Sequence, residues 1–329
     1  MRVALAGLGN AAVRGHLPAL RRLAHEGALR LVGVADPDAD RRALASNGHE
    51  RTPGFESAEA LLGSVDCDVL VIAAEPASHA QLTTLGARHG VHVVCEKPLT
   101  LTREQHERVA AAYADRTGPA LVAVHQYRYS PAWTRMLRWA RLVERAGARF
   151  ELSVEVQRHG TDARAATAWR DDPARSGGML ADHGVHFLSL GCTISDDIEA
   201  LHCERAWDDR RRERAHAKVR VGTGLLELRL SAAAPRRGTR VELRTAPVEF
   251  GWRDEQARIS VAGRALRSWR TEALSDRRHV DALYLPLYRD LVGGWRSPRW
   301  RALRTREALT VSGTLVELLE RSPFPGGAP

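Results

Sequence analysis

The feature that most narrows what this chain can fold into lies at its start. Arg2-Val3-Ala4-Leu5-Ala6 is a short apolar run leading into Gly7-Leu8-Gly9-Asn10-Ala11-Ala12, after which Val13, Leu17, Leu20 and Leu23 recur at helical spacing. A second apolar run, residues 29–35, ends in Asp36-Pro37-Asp38. Strand, glycine turn, helix, strand and acid within about forty positions have a mechanical reading. Gly7 permits the tight turn, Gly9 lets the backbone approach a pyrophosphate, and a small residue at Ala12 lets the helix pack close to the sheet. The helix N-terminus offers amides and the positive end of its dipole to the phosphates. Asp36 stands where a carboxylate accepts hydrogen bonds from adenosine ribose hydroxyls, which favours NAD, because the 2′-phosphate of NADP would face a negative charge. Arg41 and Arg42, close by in sequence, leave NADP open. The plainer alternative for Asp36 is a turn-capping residue before Pro37.

The alternation continues. Residues 69–74 read as a strand, 79–88 as a helix, 91–95 as a strand, 102–114 as a helix with Thr102 as N-cap, and 120–124 as a strand. Strands alternating with helices of this length imply a parallel sheet covered on both faces. Residues 1–125 are therefore expected to form a doubly wound, Rossmann-type domain. From Pro131 the pattern changes. A helix over 132–144 is followed by an alternating strand over 149–157, a glycine pair Gly177-Gly178 ahead of a helix over 179–190, and period-two stretches at 217–221, 225–230, 239–244 and 258–262. Strands in succession without helices between them favour an open, mostly antiparallel sheet. Residues 126–329 are thus read as a second, α+β domain. A free sheet face needs a cover, and a partner subunit is a common one. The tail returns to helix over 280–293 and 305–319, and the last helix is free to pack back on the first domain.

Composition removes several other classes. Of 329 residues, 44% are apolar and 27% charged, ordinary proportions for a globular protein. A net charge of +9 invites a nucleic-acid reading, yet the arginines are spread along the chain and aromatics are only 5%. The one dense run, Arg210-Arg211-Arg212-Glu213-Arg214, reads as a solvated loop. Cys67, Cys95, Cys192 and Cys203 lack C-x-x-C spacing, so neither a disulfide framework nor a metal site is implied. The first strand begins at Arg2 and no apolar run approaches the ~18 residues that span a bilayer, so a cytoplasmic protein without nucleic-acid or membrane partners is expected.

Two further segments carry chemistry. Among forty-nine basic side chains only Lys97 and Lys218 are lysines, and Lys97 sits in Cys95-Glu96-Lys97-Pro98 directly after a strand. An ammonium is a compact donor whose proton affinity responds to burial, which a guanidinium cannot match, so Lys97 is the first candidate for chemistry. In Gly177-Gly178-Met179-Leu180-Ala181-Asp182-His183-Gly184-Val185-His186, Asp182 and His186 are four apart on an expected helix and share a face. A histidine can take and return a hydroxyl proton near neutral pH while a carboxylate fixes its tautomer. Read in isolation, such a pair is more often surface or capping detail.

Taken with Pro76-x-x-His79-Ala80 and Arg128-Tyr129-Ser130-Pro131, these motifs stand in the order found in the glucose-fructose oxidoreductase and inositol dehydrogenase (Gfo/Idh/MocA) family, which the chain resembles over essentially its full layout. The resemblance implies a nucleotide-binding domain followed by a domain that carries the substrate site and subunit interface on an open sheet. It puts Lys97, Asp182 and His186 in the positions of the catalytic trio. Lys97 would hydrogen-bond the reacting oxygen, His186 would transfer the proton, and Asp182 would orient it. It places Gly7, Gly9, Asn10, Ala12, Asp36, Glu75, Pro76, His79, Glu96 and Lys97 among the cofactor-binding positions; around the substrate, Gln126, Tyr127, Arg128, Trp169, Arg170 and His183 can supply the hydrogen bonds that polyol chemistry needs about one reactive carbon.

Four departures from the family pattern fall where substrate and nicotinamide are expected: Glu75 before Pro76, the segment His125-Gln126-Tyr127-Arg128-Tyr129, Ser189 three past the histidine, and His183 beside the trio. The expectation is an NAD-dependent oxidoreductase, with NADP open, acting on a hydroxyl or keto carbon of a sugar, cyclitol or sugar nucleotide as a homodimer or homotetramer. The alternatives are an imine or enone reductase on the same fold and a nucleotide-binding sensor without catalysis.

Overall fold

The computed structural model describes residues 1–46, 52–115, 117–158, 172–272 and 276–324. The chain divides into two compact units, Met1–Val124 with Asp281–Leu309 and His125–Val280 with Thr310–Pro329.

The first unit is built on strands β1 (Arg2–Ala6), β2 (Arg30–Ala35), β3 (Gly54–Phe55), β4 (Val69–Ile72), β5 (His92–Cys95) and β6 (Leu121–Ala123), in the order β3-β2-β1-β4-β5-β6. Every neighbouring pair is parallel. This is the doubly wound order, reversing between β1 and β4, the point at which open α/β sheets bind ligands beyond their carboxyl ends. Val69, Leu70, Val71 and Ile72 are all fully buried, because helices cover both faces and leave no place for a polar row. Those helices are α1 (Leu17–His25), α2 (Ala39–Ser46), α3 (Ala58–Ser64), α4 (Pro76–Arg88) and α5 (Arg103–Ala112). Thr102 caps α5, its side chain accepting from the Gln105 amide.

One expected helix differs. Ala12–His16 form a π-turn, and α1 begins only at Leu17 with Pro18 in its first turn. Pro18 has no N–H to give to the carbonyl four residues back, and the turn ahead of it widens, closed by the Leu17 amide on the Ala12 carbonyl.

The second unit contains α6 (Pro131–Arg145), β7 (Glu151–Gln157), α7 (Pro173–Ser176), α8 (Val185–Ile194), β8 (Ile198–Trp207), β9 (Glu213–Val221), β10 (Gly224–Ser231), β11 (Gly238–Arg244), β12 (Val248–Arg253), β13 (Gln256–Val261) and β14 (Arg264–Arg270). Its eight-stranded sheet runs β14-β13-β12-β11-β7-β10-β9-β8, antiparallel except where β7 meets β10. In β9, Ala215, Ala217, Val219 and Val221 are buried and alternate with Arg214, His216, Lys218 and Arg220 on the other face. The apolar face packs against α8, which packs on α6; the other face is a lattice of arginines and carboxylates such as Arg240–Glu242 and Arg229–Glu227.

The chain closes with α9 (Arg277–Ala282), α10 (Tyr284–Gly294) and α11 (Pro298–Arg321). The single helix expected over 280–293 is interrupted at Leu283, and Pro286 falls in the first turn of α10, where its missing N–H leaves no gap. The helix expected over 179–190 is also split: Leu180–Gly184 form a π-turn and α8 starts at Val185.

Candidate functional site

In the first unit the glycine turn leaves β1 at the switch point. Gly7 has φ +88°, and a Cβ there would lie 2.5 Å from the Ala74 nitrogen, in the loop after β4, so only glycine fits. A Cβ on Gly9 would meet nothing within 4 Å. Asn10 is exposed beside it and Ala12 is fully buried against the sheet. Asp36, at the end of β2, is buried. One carboxylate oxygen accepts from the Leu8 amide at 2.7 Å and the other from the Asp38 amide at 3.0 Å, which leaves each a second lone pair. The Arg41 guanidinium lies 3.9 Å from it, while Arg42 donates to the carbonyls of Asp36 and Pro37.

The loops after β4 and β5 carry the other first-unit residues. Glu75 occupies the N-cap position of α4 without a side-chain capping bond, and Pro76 is the first helical residue. His79 is fully enclosed, its ring nitrogens 2.7 Å from the Pro98 carbonyl oxygen and 3.1 Å from that of Ala74. Burial pushes this imidazole below its usual pKa. Its whole surface is used in joining two loops, so any contribution it makes to a ligand passes through them. Glu96 is also buried. Its Oε1 accepts from His16 Nε2 at 3.0 Å and from the Tyr284 hydroxyl at 2.5 Å, and its Oε2 accepts from the Lys97 amide at 3.1 Å. Burial alone would raise this carboxyl, but His16, Lys97 and Tyr284 more than offset it and hold it at about 2. Lys97, next in the chain, is half-buried.

In the second unit, Gly177 and Gly178 both have positive φ, 73° and 74°. A side chain on Gly178 would collide with the Glu213 carboxylate, which is buried, accepts from the Met179 amide and is bonded to Arg205 Nε at 2.5 Å. Arg205 Nη2 also donates to the Gly177 carbonyl at 2.7 Å. This anchored turn launches the π-turn that carries Asp182 and His183. The one helix expected to carry both residues is thus divided: Asp182 lies in the π-turn and His186 in the first turn of α8. Asp182 lies 3.5 Å from His183 Nε2, and the His186 ring stacks on Tyr127 with centroids 4.0 Å apart and an 11° interplanar angle.

Tyr127 belongs to a 3-10 turn, Gln126–Tyr129, and is buried with Gln126 and His125. Burial raises its phenol; Arg158, which hydrogen-bonds it, pulls the other way, and the nearby Asp182 charge adds to the rise. Arg128 lies over the Tyr129 ring at 5.9 Å. Trp169 and Arg170 lie outside the described residues.

Sequence reasoning missed six residues in these arrangements: His16, Tyr284 and Tyr288 in the first unit, and Arg158, Arg205 and Glu213 in the second. Glu213 carried a legible signal as the single acid inside an arginine run. That run is a solvated turn only up to Arg212; Glu213 begins β9 and is buried. Among the described residues, His202, Glu204 and His216 bring potential metal ligands within 4.8 Å of one another, although His216 is engaged by Glu227 at 2.8 Å. No described helix is long and apolar enough to cross a membrane.

Comparison with known proteins agrees with this layout. Residues 1–124 match the GFO_IDH_MocA family model, described as an oxidoreductase family with an NAD-binding Rossmann fold. The chain is 28% identical over 190 residues to D-xylose 1-dehydrogenase (NADP(+)) 2 of Haloferax volcanii, covering 57% of this chain and 55% of that protein. It is 28% identical over 203 residues to dTDP-3,4-didehydro-2,6-dideoxy-alpha-D-glucose 3-reductase of Streptomyces violaceoruber, covering 59% and 54%. The chain thus spans about half the length of these curated relatives. Among solved structures, KijD10, a 3-ketoreductase from Actinomadura kijaniata in complex with NADP and TDP-benzene, superposes with a TM-score of 0.76 over 98% of each chain at 19% identity, a likeness of fold. The strand order, the glycine turn and the lysine loop all lie within residues 1–124, the segment that matches the Gfo/Idh/MocA oxidoreductase family model.

Proposed function

We propose that this protein is an NAD(P)-dependent oxidoreductase that transfers a hydride between nicotinamide and a hydroxyl or keto carbon of a sugar, cyclitol or sugar nucleotide. The first unit would hold the dinucleotide and the second the substrate. The observation that carries the reading is the space above Gly9: the turn is packed hard at Gly7 and open at Gly9, at the switch point of the sheet, as a pyrophosphate-binding turn requires. Asn10, Ala12 and Asp36 fit the same cradle, and Glu75, Pro76, His79 and Glu96 shape the loops at the nicotinamide end. Asp36 retains lone pairs for ribose hydroxyls, and Arg41 beside it is placed to meet a 2′-phosphate, so both NAD and NADP are accommodated. The relatives named above act on a pentose and on a dTDP-linked deoxysugar, which supports the substrate class.

The roles follow from the chemistry of each group. Lys97 donates to the reacting oxygen and favours its negative charge. His186, its ring plane fixed by the Tyr127 stack, takes and returns the hydroxyl proton, and Asp182 stabilises the charged imidazole. The bound nicotinamide supplies or accepts the hydride. Gln126, Arg128 and His183 serve substrate hydroxyls; Trp169 and Arg170 are assigned there on sequence alone. We also propose that two copies pair through the charged face of the second sheet, and that the protein works in the reducing cytoplasm, a setting suited to four buried cysteines with no disulfide among them.

The test is a titration with NADH and NADPH followed by turnover on a panel of aldoses, ketoses, cyclitols, dTDP-sugars and cyclic imines. Lys97→Ala is expected to lower turnover about 10²- to 10³-fold with cofactor affinity nearly kept. Turnover of imines alone would overturn the substrate class, and near-normal rates in Lys97→Arg would remove the lysine chemistry. Light scattering that gives a monomer mass would end the pairing proposal.

A further inference from the structure

Beyond the glycine turn and Lys97, the first unit holds a buried chain of four side chains drawn from three distant stretches of sequence. His16, on the π-turn before α1, has no exposed surface; Tyr288, on α10, has none either; Glu96 and Tyr284 have 6% and 5%. The Tyr288 hydroxyl lies 2.5 Å from His16 Nδ1, His16 Nε2 lies 3.0 Å from Glu96 Oε1, and the Tyr284 hydroxyl reaches the same oxygen at 2.5 Å. An ionised carboxylate only accepts, so His16 Nε2 carries a proton and donates to Glu96, while Nδ1 and the Tyr288 hydroxyl form the next hydrogen bond of the chain. The rings are packed as well as bonded: His16 meets Tyr284 edge-on at 4.6 Å, and a Cβ on Gly15 would lie 2.5 Å from the Tyr284 ring.

The other carboxylate oxygen of Glu96 accepts from the Lys97 amide, one residue on. The far end of the same loop is gripped at Pro98 by His79. Cys95, Glu96, Pro98 and Leu99 are all buried, and Lys97 between them is the one residue of the stretch that is half-exposed. A loop fixed on both sides of one half-exposed residue is a mount for that residue. A buried carboxylate is stable only with its partners in place, so removing a partner is felt at the loop and not only at the point of change.

We infer that His16, Tyr284 and Tyr288 are positioning residues for Lys97, acting through Glu96 to hold the loop that presents the ammonium. The inference rests on the reading of Lys97 as the group at the reacting oxygen. It makes the helical segment at 284–294 part of the lysine's mount, although the two are nearly two hundred residues apart in sequence.

The lysine content of the chain supplies a test that needs no substrate. Lys97 and Lys218 are the only lysines, so trace labelling with acetic anhydride followed by peptide mapping reads Lys97 with Lys218, on β9, as the internal reference. In Tyr284→Phe, which keeps the ring and loses only the hydroxyl, and in Glu96→Gln, the Lys97-to-Lys218 labelling ratio is expected to rise at least about threefold as the loop is released, with thermal unfolding still cooperative. Tyr288→Phe, one link further away, should give a smaller rise of the same sign. An unchanged ratio in folded Tyr284→Phe overturns the inference, and that variant also serves should Glu96→Gln fail to fold. Failure of the underlying reading looks different: Lys97→Ala would then keep turnover, whatever the labelling ratios show.

Discussion

The two units solve the same local problem with opposite chemistry. Each seats its motif segment on a buried carboxylate that accepts from a main-chain amide inside the motif, Glu96 from Lys97 and Glu213 from Met179. In the first unit the remaining donors are an imidazole and a phenol; in the second they come from the Arg205 guanidinium, whose side chain is 3% exposed. A guanidinium keeps its charge at every pH a protein meets and forks onto both the carboxylate and the Gly177 carbonyl, so the second seat is a rigid ion pair. The first seat is held by groups whose protons are shared along a chain. It can be loosened one hydroxyl at a time without leaving an unpaired charge of opposite sign. The difference gives a stiff base under the segment that carries Asp182 and His186, and a graded one under the loop that carries Lys97.

The comparison breaks most visibly at the ion pair. Arg205→Ala strands the Glu213 carboxylate in a buried site and also removes the bond to the Gly177 carbonyl, so unfolding free energy should fall by about 3–5 kcal/mol. Urea denaturation measures it. A loss under about 1 kcal/mol would mean that the turn does not depend on this pair. NADH affinity of the folded fraction should change little, because the glycine turn and Glu96 belong to the other unit.

A somewhat smaller effect tests the first seat. Glu96 is held at about 2, below the ordinary 4.5 of a glutamate, so its contribution is fully present above pH 4.5 and is lost as pH falls from 4.5 towards 2. Linkage over that window amounts to about 3 kcal/mol. Glu96→Gln should be less stable than the parent at pH 7 and should have a flatter stability profile between pH 4.5 and 2. Parallel acid profiles for parent and variant would show that the carboxylate is not held in its charged form.

What the sequence made legible follows from the same physics. The parallel sheet declared itself because fully covered strands such as Val69–Ile72 admit no polar residue, and β7, β9, β10, β11 and β13 showed through clean alternation. The strands β8, β12 and β14 did not: β8 changes register after Ala200, β12 carries Gly251, and β14 is exposed at nearly every position, so none presents a steady apolar row. Lys97, Asp182 and His186 were visible as motifs, but their mounts were not. Tyr284 reaches Glu96 across 188 positions, and a lone tyrosine on an apolar helix face reads as ordinary core. Both π-turns were invisible to a 3.6-residue period, and both fall at a motif, the glycine turn and the Asp182 segment.

The smallest expected change in stability belongs to the part of the first unit where, among the described residues, no atom lies within 4 Å of an added Cβ. Gly7 and Gly9 are two residues apart in one turn, yet their environments are opposite. An alanine at Gly7 must take a left-handed backbone and drive its methyl to 2.5 Å from the Ala74 nitrogen, which should destabilise the fold by several kcal/mol, about 3 or more. Gly9 does not have a left-handed φ, and a methyl there meets no atom within 4 Å, so Gly9→Ala should unfold within about 0.5 kcal/mol of the parent. If the open space is where a pyrophosphate approaches the backbone, the same methyl should weaken NADH binding at least about 10-fold, read by fluorescence titration. Undiminished NADH affinity in Gly9→Ala would separate the glycine turn from the cofactor. It would leave the Glu96-mounted loop without a neighbour to serve.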